Sequence, residues 1–161
     1  MKSSTVSWVG SALIYAFVGP AMAIPEEPLA VLVHKSNPLD SISTEQLRGM
    51  LLGEVWQWPA RQRITIVERD PASGVYQKML RQLVRMTEKD YRRALVAVEF
   101  RGESTPLIKT LNTDDGAYKF VFNVPDAIAV VGAVPSGAFA AQVKVLRVDG
   151  KLPGEQGYTL K

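Results

Sequence analysis

The residues best suited to chemistry fall in one short run, positions 67–75, reading VERDPASGV. A strand-like segment ends there, Arg69 follows at once, and a helix opens with Ser73 and Gly74 in its first turn. The first N–H groups of a helix have no intrahelical partners and carry partial positive charge. Such a terminus attracts anions. Arg69 adds a planar fork that suits phosphate or carboxylate oxygens. Ser73 adds a hydroxyl donor, and Gly74 lets an oxyanion come close to the backbone. The same run has a second reading. Asp70 caps the helix and sets an acid beside any anion, while Arg69 pairs with Glu68, Asp70 or another surface acid.

Little else in the sequence offers reactive chemistry. The 161 residues include no cysteine and one histidine, His34. That removes thiolate nucleophiles, disulfides, zinc–sulfur sites and histidine clusters. Ser73-Gly74 lacks the G-x-S-x-G pattern of a hydrolase elbow and has no base beside it. Asp114 and Asp115 read as helix N-terminal charge, because no clustered third carboxylate makes them a metal site. The expectation is a protein that is not an enzyme, with no catalytic residue, no metal and no cofactor. Ser36 and Asn37 follow an apolar strand. Ligands in open α/β sheets gather beyond strand ends, so Ser36 joins Arg69, Ser73 and Gly74 as a candidate oxyanion contact. His34 reads as a structural or edge histidine, and Trp56 and Trp58 as packing residues. Net charge is +3, and the arginines at 61, 63, 81, 85, 92 and 93 read as solvated faces. Nucleic acid is not an expected partner.

These residues need elements to hold them. Positions 29–34 and 127–131 are unbroken apolar runs of strand length, as expected for strands buried on both faces. Positions 63–68 and 142–148 alternate like half-buried strands. Ser43, with Gln46 three residues on, predicts a capping box, and Gly53 predicts that helix's end. Asp70 and Pro71 predict an N-cap and first helical residue for a helix over 71–85. Further helix starts are predicted at 87–90, at 104–106 ahead of Leu107, Ile108 and Leu111, and at 113–115. The fold class is α/β: a mixed sheet of about four strands covered by helices.

The first residues read as an address. Lys2 is followed by an uncharged, mostly apolar run over 6–18, a Gly19-Pro20 break and an Ala21-Met22-Ala23 site. This predicts a secretory signal peptide, residues 1–23, cleaved after Ala23, with a single domain over 24–161 in the periplasm.

The order of features resembles one lobe of the periplasmic phosphate-binding proteins of ABC transporters, the type 2 periplasmic-binding-protein fold. Residues 42–47, then Leu51-Leu52-Gly53 and Trp56 or Trp58, look like a helix-glycine-tryptophan segment of that family. Arg69, three residues, then Ser73 and Gly74 match its phosphate-contacting loop. Residues 122–128 are similar to the entry into a family strand, and 143–153 to its closing strand and turn. Four positions depart from the pattern: Val75 for threonine, Asp126 for glycine, and Ala129-Val130 for Gly-Tyr. The family grips its anion between two lobes, and the mature chain has room for one. The resemblance therefore implies a solute-binding-like protein for phosphate or another oxyanion, linked to a membrane transporter or receptor. It implies weak, millimolar binding by a half-site, about −4 kcal/mol, unless a homodimer or partner completes the cleft. The alternative is an interaction module that kept the fold and lost the ligand.

Overall fold

A computed structural model describes residues 27–101 and 104–161. The predicted leader and its cleavage site lie outside the described residues. Five strands form the main sheet: β1 (Ala30–His34), β3 (Thr65–Arg69), β4 (Leu107–Leu111), β5 (Ala127–Val131) and β6 (Val143–Val145), in the order β4-β3-β5-β1-β6. β3 runs parallel to both β4 and β5, whereas β1 is antiparallel to β5 and β6. A short parallel pair, β2 (Ser41–Ile42) with β7 (Arg147–Val148), stands apart.

Helices cover both faces. Val31, Val33, Ile66, Ile128 and Val130 point to one side, where they meet Leu47 and Leu51 of α1 (Thr44–Leu51), Tyr76 and Met79 of α2 (Gly74–Met79), and Tyr91 of α3 (Glu88–Phe100). Ala30, Leu32, Val67, Ala129 and Val131 point to the other, against Ala117, Tyr118 and Val121 of α4 (Asp114–Asn123). Adjacent residues of a strand face opposite sides. A strand covered on both sides therefore reads as an unbroken apolar run, as β1 and β5 do.

Local capping follows the sequence at three starts. Ser43 accepts from the Gln46 amide while the Gln46 side chain accepts from the Ser43 amide. Thr87 and Thr113 cap α3 and α4. Gly53 turns out of α1 at φ 80°.

Three expectations are corrected. The segment at 107–111 is the edge strand β4, not a helix. Its apolar residues imitate a helical face, but Leu107 and Ile108 stay 48% and 43% exposed, and β3 supplies the backbone partners that decide the conformation. The run at 142–148 is broken at Leu146, whose amide donates to Val31 O, so β6 and β7 join different sheets. The helix predicted at Pro71 starts at Gly74 with Ser73 as its cap. Asp70 instead closes a turn, accepting from the Ala72 amide at 2.8 Å through its carboxylate. The helix then continues through a π-helical turn, Leu80–Val84, and ends at Arg85.

Candidate functional site

The carboxyl ends of β3 and β5 and the start of β1 share one end of the sheet. The turn at 70–73 leads there from β3 into α2, and Arg69 is the last residue of β3. Arg69, Ser73 and Gly74 are thus brought together as the sequence suggested.

Their donors are unequally free. Each of the three Arg69 guanidinium nitrogens is engaged, by three of its five N–H donors. Nε donates to Leu111 O at 3.2 Å, Nη2 to Asn112 O at 2.6 Å, and Nη1 to the Asp114 carboxylate. The other Asp114 oxygen accepts from the Gly132 amide at 3.2 Å. An internal carboxylate therefore offsets the charge of Arg69 and takes one of the donors that an external oxyanion would use. Arg69 is 10% exposed, so the pair is only partly screened by water.

Ser73 Oγ accepts from the Tyr76 amide at 3.2 Å, which commits a lone pair but leaves its O–H free to donate outward. The amides of Gly74 and Val75 have no partner among the described residues. A Cβ at Gly74 would meet nothing within 4 Å, so the approach to this backbone is open. Ser73→Ala should lower stability by about 1 kcal/mol through loss of the cap, read as a fall in the melting temperature. A smaller fold defect would mean that the turn at 70–73 holds the helix start without it.

Beside the amides is a cavity of about 230 Å³, lined by Glu27, Leu29, Gly74, Val75, Lys78 and Gly132. Two of its residues were not singled out by sequence. Lys78 is buried, and its Nζ donates to Glu27 O at 2.6 Å. Gly132 packs so tightly on α2 that a Cβ would come within 2.6 Å of Val75 Cγ2. Asp114 was read as helix charge; its role as the partner of Arg69 depends on β4 and α4 folding back beside β3, which no local pattern announces.

Ser36 does not belong to this site. It lies past the end of β1, and β1 runs antiparallel to β5, so it sits at the opposite end of the sheet. Its hydroxyl is 2.7 Å from His34 Nδ1, beside a separate cavity with Asn37, Trp58 and Asp126. The rule of carboxyl ends applies to parallel strands, and β1 breaks it. No group of three His, Cys, Asp or Glu able to hold a metal occurs among the described residues.

The fold as a whole, a mixed sheet with one reversed strand covered by helices, has structural counterparts. The first is PstS from Borrelia burgdorferi, with TM-score 0.65 and 16% identity, covering 83% of this chain and 54% of that one. An ABC-type phosphate transport receptor from Vibrio cholerae gives 0.63 and 19%, covering 83% and 53%. The chain has the fold of one lobe of a phosphate-transport binding protein. A putative phosphate ABC transporter substrate-binding protein with bound phosphate, from Clostridium perfringens, gives 0.60 and 18%, covering 79% and 47%. This one-lobe chain spans about half the length of these proteins. The second is named as a transport receptor and the third as a substrate-binding protein. No family model and no curated protein matches the sequence. Among the described residues, no helix is long and apolar enough to cross a membrane.

Proposed function

We propose that the chain is a non-catalytic solute-binding-like protein for phosphate or a similar oxyanion, exported to the periplasm by residues 1–23 and serving an ABC-type transporter or a receptor. The observation that carries this reading is the pair of free amides at Gly74 and Val75, beside Ser73 and Arg69 at the end of β3. The fold shared with phosphate-transport proteins supports it. The site works by positioning donors: two amides and a hydroxyl meet the anion, and Arg69 adds charge once Asp114 gives way. Competition from Asp114 and the open face of the site keep the affinity of this lobe near the millimolar range, about −4 kcal/mol. A homodimer or a partner that covers the open face would raise it by excluding water.

One observation favours a second reading. Because Asp114 already neutralises Arg69, the loop is stable without an external anion. An interaction module with no ligand would be built this way. Calorimetric titration of residues 24–161 with phosphate, against sulfate, separates the two. Weak binding that disappears in Arg69→Gln, which keeps donors for the carbonyls but loses the charge, supports the oxyanion site. No heat in wild type, together with a membrane partner retained with or without phosphate, favours the interaction module.

A further inference from the structure

A second groove lies at the far end of the sheet from Arg69, between α1 and a hairpin over residues 56–64. Its volume is about 490 Å³, within the range of small-molecule sites, roughly 300–1,000 Å³. Ile42, Met50 and Trp58 close its floor, with exposures of 2%, 7% and 6%. Val55 and Pro59 add apolar walls, and none of the lining residues is acidic. Trp58 is fixed in place by its indole N–H, which donates to Asp126 O at 3.0 Å.

The hairpin presents Arg61 to this groove in an unusual way. Trp58 N donates to Gln62 O and Arg61 N to Trp58 O, both at 2.9 Å, which closes a tight loop. Arg61 closes that loop at φ 68°, in the left-handed region. Loops of this kind favour glycine at such a position. An arginine there costs stability, and backbone strain of this type collects at functional sites. Arg61 lines the groove, and its guanidinium has no hydrogen-bond or ion-pair partner among the described residues. The other polar groups at the mouth are largely used. Ser41 Oγ donates to Arg147 O, and Gln57 Nε2 donates to Arg61 O. Gln46 Oε1 accepts from the Ser43 amide, so its Nε2 remains to donate.

We infer that this groove binds a small amphipathic monocarboxylate, with the apolar body against Ile42, Met50 and Trp58 and the carboxylate on Arg61. The apolar floor calls for a hydrocarbon or aromatic body. One planar cation with no acid among the lining residues fits one carboxylate, which a guanidinium fork grips through two parallel hydrogen bonds. A phosphate dianion would find a single cation and no nest of amides.

The test uses the chain over residues 24–161 with octanoate and phenylacetate as probes and octanol as the uncharged control, followed by calorimetry and tryptophan fluorescence. The acids should bind, octanol should bind more weakly, and phosphate should not compete. Arg61→Gly should weaken acid binding at least about tenfold, the value of a lost charge-assisted pair. It should also leave the melting temperature unchanged or raised, because glycine suits the backbone there. Failure of both acids to bind, equal affinity for octanol, or an unaffected Arg61→Gly variant would overturn the inference. Competition by phosphate would overturn it as well, since the two sites lie at opposite ends of the sheet.

Discussion

Asp114→Asn should tighten phosphate binding at least about tenfold while lowering stability by about 2 kcal/mol. Both effects come from one carboxylate. Asp114 pairs with Arg69 and accepts from the Gly132 amide, so it behaves as a resident anion. Asparagine keeps one acceptor for Gly132 but no longer competes for the guanidinium charge, nor does it repel an incoming oxyanion. The loss is limited because Arg69 keeps its bonds to the Leu111 and Asn112 carbonyls. Phosphate calorimetry and a thermal melt on the same sample read both effects. A variant that is less stable yet binds phosphate no better would show that Asp114 is a structural strut and Arg69 has no part in anion binding.

Glu68→Gln should remove a fall in stability that wild type shows as pH rises above the range of a free carboxyl. Glu68 is buried, 6% exposed, in the strand that ends at Arg69. Burial pushes its carboxyl pKa up, outweighing the hydrogen bond from Tyr91 and the charge of Arg92. Geometry points the same way. The Tyr91 hydroxyl lies 3.1 Å from Leu51 O and in hydrogen-bond contact with Glu68 Oε1, and it has one proton to give. Both contacts are satisfied when Glu68 is a neutral acid whose O–H faces Tyr91 Oη. The surroundings hold Tyr76, pushed up to about 12 by burial, and the charges of Arg92 and Glu88 from α3. Between the free carboxyl value, about 4.3, and the raised folded value, the native state holds a proton that the unfolded chain has lost. Stability therefore falls with rising pH across that window and levels off above it. Glutamine reproduces the neutral acid, so the melting-temperature difference between variant and wild type should widen over the window. Tyr91→Phe strands the Leu51 carbonyl and Glu68 together and should cost about 1–3 kcal/mol. A constant difference between Glu68→Gln and wild type across pH would mean that Glu68 is charged when folded.

The sequence revealed those parts of the fold whose cause is local. β1 and β5 show as apolar runs because helices cover both of their faces, and Ser43, Thr87 and Thr113 show as caps because each bonds an amide three residues on. β4 was hidden because Leu107, Ile108 and Leu111 have the spacing of a helical face, and the strand is fixed by β3, about forty residues earlier in the chain. At the candidate site, Arg69, Ser73 and Gly74 are neighbours in sequence, so their meeting was legible. Asp114 was not, because it reaches Arg69 from another element. Ser36 was misplaced because the direction of β1 relative to β5 leaves no mark on either strand's own residues. Arg61 was read as a solvated face, since its left-handed conformation comes from hydrogen bonds across the 56–64 hairpin.

In the proposed function an oxyanion meets the start of α2 beside Arg69. The most direct measurement is a phosphate titration of residues 24–161 followed by the amide resonances of Gly74 and Val75 and by Arg69 Nε. These three groups should show saturable, millimolar-range shifts, with saturation at lower phosphate in Asp114→Asn. Silence at Gly74 and Val75 in both proteins, or shifts confined to the surface arginines at 61, 92 and 93, would contradict it.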